Sequence, residues 1–204
     1  MPLVPYVADQ IWLCPYPIRL AGTRFEARMT VLRLASGQLM LHSPCRITGA
    51  IAEEISALGP VAHIVAPGNF HHMFVNTAQV AFPKAKTWIC PGVESRSPGL
   101  KYDGLLGDEP PPDWVDQLDQ VLIQGTRFMR EVAMFHRTSR TLILVDLIEN
   151  FTDATPHTGG SPEVLVQICF PHVEQSPPRA GIPDRLERPS GSRQIAASHS
   201  GLGF

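Results

Sequence analysis

Two adjacent histidines, His71 and His72, follow an apolar run and a Pro-Gly break in the segment Val61-Ala62-His63-Ile64-Val65-Ala66-Pro67-Gly68-Asn69-Phe70-His71-His72. Imidazoles placed where a buried strand turns into a helix are what a metal-binding strand–loop–helix needs, and Asn69 adds a hydrogen-bonding neighbour. Adjacent residues on a regular helix point about 100° apart, so His71 and His72 converge only if the backbone there is irregular. Further along, Phe135-His136-Arg137-Thr138-Ser139-Arg140-Thr141 reads as a hairpin between two apolar strands. Asp146 lies five residues down the returning strand, roughly 17 Å from the turn at ~3.3 Å per residue, which puts His136 at the wrong end to act with it. Antiparallel pairing instead sets Glu131 near Asp146, and two carboxylates at one strand end repel unless a proton or a cation lies between them.

The candidate cluster is therefore His71, His72, Glu131 and Asp146. Two imidazoles with one or two carboxylates could hold a single Zn²⁺, Fe²⁺ or Mn²⁺, and an open coordination position would lower the pKa of a bound water. The competing reading needs no metal: the histidines cap a helix and pack beside Phe70 and Phe74, while Asp146 satisfies loop amides. Arg96 and Lys101 sit in a loop rich in glycine and proline, where they either meet an anionic substrate or are simply solvated. Asn69 and Arg96 are the candidate substrate-binding residues.

The elements that must position these groups follow from hydrophobic pattern and turn residues. Residues 29–35 and 38–42 flank Ser36-Gly37 and predict a β-hairpin. Thr48 is placed to cap a helix through Ile51, Ile55 and Leu58, which Gly59-Pro60 ends. Val61–Ala66 predicts a buried strand, 71–82 a second helix, and 87–90 another strand; 93–113 reads as a surface loop. Strands return at 120–124, 131–136 and 141–147. A hairpin, two helix–strand units and a meander describe a layered α/β or α+β domain over residues 8–150. Residues 151–204 are rich in proline, serine and glycine and lack apolar periodicity, so they predict a mostly disordered tail, with 164–170 its one candidate strand.

Composition narrows the function classes. The 204 residues are 44% hydrophobic with a net charge of −2 and no long basic run, which argues against nucleic acid as a partner. Four scattered cysteines (Cys14, Cys45, Cys90, Cys169) include no C-x-x-C pair and read as reduced thiols. No apolar run approaches the ~20 residues of a bilayer span, and the N-terminus has no signal-peptide pattern, so the expectation is a cytoplasmic protein acting on a small molecule without a membrane.

Several separated segments, in order, resemble an uncharacterised, bacterial branch of the metallo-β-lactamase-like superfamily. They are Arg28-Met29-Thr30-Val31, His42-Ser43-Pro44, the run from Pro67 to His72, and the run from Phe135 to Leu142 that leads into Asp146-Leu147. The resemblance covers residues 8–150 and implies an αββα sandwich, two β-sheets between helices, with a metal site at one edge in active relatives. Active members carry His-x-His-x-Asp-His after the strand matching 61–66. With His72 in the last position, His71 stands in place of the Asp, Asn69 in place of one His and Pro67 in place of the other. No histidine lies between His72 and His136, and the C-terminal part of the pattern is divergent or missing. The resemblance thus implies a degenerate metal site holding one divalent metal or none. It leaves three readings: a metal-dependent hydrolase of an ester, thioester or phosphodiester; a non-catalytic descendant that binds a small molecule or protein; or an inactive chain truncated or frame-shifted after about Asn150.

Overall fold

The computed structural model describes residues 2–20, 23–124, 129–148 and 194–197. The chain begins with an antiparallel meander: β1 (Val4–Val7), β2 (Ile11–Leu20), β3 (Thr23–Arg33) and β4 (Leu39–His42). The hairpin between β3 and β4 turns at Gly37, whose φ of +80° favours glycine, as the Ser36-Gly37 pair predicts. Helix α1 (Gly49–Leu58) then carries the chain to β5 (Val61–Ala66), α2 (Val75–Ala81) to β6 (Lys86–Ile89), and α3 (Val93–Arg96) to β7 (Gly104–Leu105). β5, β6 and β7 join in parallel, completing a seven-stranded sheet in sequence order.

A second sheet of four strands has the order β11-β10-β9-β8, from β8 (Leu118–Ile123), β9 (Glu131–His136), β10 (Thr141–Leu144) and β11 (Gln194–Ala197). β8, β9 and β10 are antiparallel, and β11 runs parallel to β10. The sheets share a buried core that includes Met29, Leu32, Met40, Leu41 and Ile64 from the first and Leu118, Val132, Met134 and Ile143 from the second. They are stitched where the chain leaves β5: Gly68 bridges to Glu131, Val132 N–H donates to the Pro67 carbonyl at 2.7 Å, and Asn69 N–H to the Arg130 carbonyl at 3.1 Å.

Several expectations change. β1 and β2 were not anticipated, because Pro15 and Pro17 break the strand pattern. β1 covers β2 only as far as Leu13, so among the described residues the prolines lie where β2 has no outer neighbour and need donate nothing. Cys14, Tyr16 and Ile18 on the other face are buried. Thr48 takes the N-cap position of α1, but its hydroxyl makes no cap hydrogen bond. The expected helix over 71–82 starts only at Val75; before it, His71 N–H bonds the Gly68 carbonyl and Val75 N–H the His72 carbonyl, as successive turns. The stretch 93–113 is not a plain surface loop: it contains α3 and β7 and buries Val93, Leu100 and Leu106. Gln194–Ala197 is a strand, which its short, unpatterned sequence did not signal. The candidate strand 164–170 and Cys169 lie outside the described residues.

Candidate functional site

β4 ends at His42, and the next residue, Ser43, has φ +54°, in the left-handed region that a non-glycine residue enters at a cost of about 1–2 kcal/mol. The backbone is held there because Ser43 N–H donates to the Val65 carbonyl at 2.9 Å, continuing the β4–β5 pairing. The Ser43 hydroxyl lies 2.7 Å from His71 Nδ1, and Tyr16 of β2 lines the same small cavity. On its other side, His71 Nε2 is 2.9 Å from Asp146 Oδ1. Ser43, His71 and Asp146 are all buried. Gly68 is required for His71 to sit so close: a Cβ built there would lie 3.0 Å from His71 Cδ2 and 3.4 Å from Val145 Cγ2.

Glu131 stands opposite Asp146, extending the β9–β10 register that pairs Met134 with Ile143. Both of its carboxylate oxygens are turned to the backbone. It accepts backbone N–H groups from Val145 at 2.7 Å, Asp146 at 2.8 Å and Leu147 at 2.7 Å, clamping the segment that presents Asp146.

The charges follow from these partners. Burial alone would lower the His71 pKa, but the Asp146 carboxylate outweighs it by charge and hydrogen bond, with Glu131 adding, so the net shift is upward. Burial pushes the Glu131 carboxyl up, against the pull of the Val145 and Leu147 amides and the His71 charge. Burial also raises the Tyr16 hydroxyl. His42 is fully buried, neither ring nitrogen has a partner among the described residues, and burial, helped by the charge of His71, pushes its pKa down to about 3.

The other expected residues do not converge on His71. His72 is half-buried, its Nδ1 has no partner among the described residues, and burial lowers its pKa. Asn69 is knitted to Arg130 through its backbone N–H and its Oδ1. Arg96 stacks over the Phe70 ring with its Cζ 4.0 Å from the centroid, whereas Lys101 lines a different cleft. His136, at the far end of β9, bonds Ser139 Oγ at 2.6 Å. Sequence reasoning missed Ser43 as a member of the network. The available signal was a serine before proline, directly after an apolar strand.

The donor set does not fit a metal ion. Both His71 nitrogens and both Glu131 oxygens are engaged by protein groups, and among the described residues no three His, Cys, Asp or Glu side chains are grouped to hold one. Above Ser43 and His71 is a cavity of about 10 Å³, walled by Tyr16, Ile18, Phe70, Met73 and Phe74, which is room for one water.

The sequence profile of DUF4336, a domain of unknown function, matches residues 8–167. No curated protein matches the chain. Among solved structures, a metallo-β-lactamase from Pontibacter korlensis superposes with a TM-score of 0.62 at 11% identity, covering 98% of this chain and 92% of that one. The metallo-β-lactamase of Hirschia baltica gives 0.61 at 8% identity, over 98% and 91%. A metallo-β-lactamase from Pseudomonas aeruginosa, described in a mono-zinc form, gives 0.56 at 10% identity, over 98% and 89%. At these identities the likeness establishes the fold, in agreement with the resemblance carried by the sequence segments.

Proposed function

The chain belongs to the DUF4336 family, and on that premise we propose that it is a metal-independent descendant of the metallo-β-lactamase fold that binds a small molecule, rather than a metal-dependent hydrolase. One observation carries this reading: His71, the best-placed imidazole, has one nitrogen on Ser43 and the other on Asp146. A metal would have to displace one of these buried bonds and still find two more ligands. Metal content of the purified full chain, beside Asp146→Ala, tests it. The expected result is far less than one equivalent of zinc, iron or manganese in either protein, and no stabilisation when these metals are added. Near one equivalent, lost in Asp146→Ala, would restore the hydrolase reading. The buried thiols of Cys14, Cys45 and Cys90 support a reducing, cytoplasmic setting. Among the described residues no helix is long and apolar enough to cross a membrane.

A second reading is favoured by the order Ser43–His71–Asp146 and the left-handed Ser43 backbone: metal-free acyl transfer. On this reading the Ser43 proton passes to His71 Nδ1 as Oγ attacks a carbonyl carbon. The Nε2–H stays bonded to Asp146, and the leaving group departs with the proton held on Nδ1. Water then releases the acyl group by the same route. A cavity sized for one water requires Phe70, Met73 or Phe74 to swing aside first. A fluorophosphonate probe decides: labelling of the native chain but not Ser43→Ala supports acyl transfer, and an unlabelled native chain supports the binding reading.

A further inference from the structure

At the other end of the parallel strands, where β6 begins, lies a cleft of about 500 Å³, within the range of small-molecule sites. Of the chain's 17 basic residues only three are lysines, Lys84, Lys86 and Lys101, and all three line this cleft. An ammonium is a compact, strongly hydrated point charge suited to phosphate, and concentrating this type in one place in an arginine-rich chain is not what a scattered solvated surface gives. Lys86 pairs with Asp113 at 3.0 Å; Lys84 and Lys101 have no ion-pair partner among the described residues. The lining contains one acid, Asp103, whose Oδ2 accepts the Thr87 backbone N–H at 2.7 Å.

The walls are built rather than loose. Gln79, at the end of α2, donates from Nε2 both to Thr87 Oγ1 at 2.8 Å and to the Lys101 carbonyl at 2.7 Å, tying helix, strand and loop together. Asp103 N–H returns to the Thr87 carbonyl at 2.8 Å. Phe82 and the exposed Tyr102 supply apolar faces beside the ammonium groups. We infer that this cleft binds a phosphorylated small molecule, its phosphates at Lys84 and Lys101 and a flat apolar body against Phe82 and Tyr102. The inference rests on the ligand-binding half of the proposed function, but on none of the Ser43–His71–Asp146 geometry.

Calorimetric titration of the full chain with ADP, inorganic pyrophosphate and adenosine, at low and at 0.15 M salt, tests it. ADP should bind more tightly than pyrophosphate, adenosine should bind weakly, and added salt should weaken ADP. Lys84→Gln with Lys101→Gln should lower ADP affinity about tenfold or more while the thermal midpoint stays put, and Tyr102→Ala should bring ADP down to the pyrophosphate level. Absence of ADP and pyrophosphate binding at concentrations on the order of 1 mM, or affinity unchanged in the double variant, overturns the site. Equal affinity for ADP and pyrophosphate in the native chain overturns the apolar half of the ligand. Failure of the metal-independent reading would show in metal content, which these titrations do not touch.

Discussion

The two ends of the parallel strands solve the same problem in opposite ways. Past the C-terminal ends of β4 and β5, Ser43, His71, Asp146 and Glu131 are buried, so each must find partners within the protein, and their hydrogen-bonding capacity is largely spent. At the start of β6, Lys84 and Lys101 face an open cleft where water satisfies them at no structural cost, so they remain available to a ligand. A polar cluster that looks most like a reaction centre in sequence can be the more structural of two. Desolvation is what separates them.

The sharpest way to break this contrast is acid. His42 is neutral when folded, with its pKa near 3, but titrates at about 6.5 unfolded, so the unfolded chain binds the extra proton. Stability should fall as pH drops from about 6.5 toward 3, by up to about 5 kcal/mol from this group. Denaturant midpoints across that range should show it, and His42→Leu should flatten the acid limb; an unchanged limb would mean His42 finds a partner in solution. Next in size, Asp146→Ala leaves His71 buried without its counter-charge and should cost about 3–5 kcal/mol, read by urea unfolding. A loss under about 1 kcal/mol would put the pair in water and make the network open.

Gly104→Ala probes the packing of β7 against β6, next in each strand to the cleft residues Asp103 and Thr87. A Cβ there would fall 2.5 Å from the Trp88 ring, which packs edge-on against Trp114 and bonds His63, so an overpacking cost of about 1–3 kcal/mol is expected in the same assay. Smallest of all, Lys84→Gln and Lys101→Gln should each shift stability by no more than about 0.5 kcal/mol. A larger loss would make these lysines structural and erase the distinction between the two ends.

Much of this architecture was legible in the chain. Ser36-Gly37, Gly59-Pro60 and the apolar run 61–66 mark their elements because turn chemistry and burial act locally. The approach of Glu131 to Asp146 was readable too, since a tight hairpin fixes the register. What the carboxylate does there was not, because three backbone amides arriving at one side chain are a tertiary event. The same holds for Ser43, whose partner His71 comes from the turns after β5. Arg96 and Lys101 looked equivalent in one loop, yet Arg96 ends α3 and stacks on Phe70, whereas Lys101 lies in the segment beyond the helix and lines the cleft.

Glu131 belongs to the smaller sheet, bridges to Gly68 at the exit of the larger one, and holds the amides of 145–147 with its side chain. Neither sheet can peel away without loosening that single residue. The molecule should therefore open as one cooperative unit: the Val145 and Asp146 amides should exchange with deuterated solvent only as slowly as the core of the larger sheet, in one protection class with it. In Glu131→Gln they should exchange earlier, uncoupled from Ile64 and Val65.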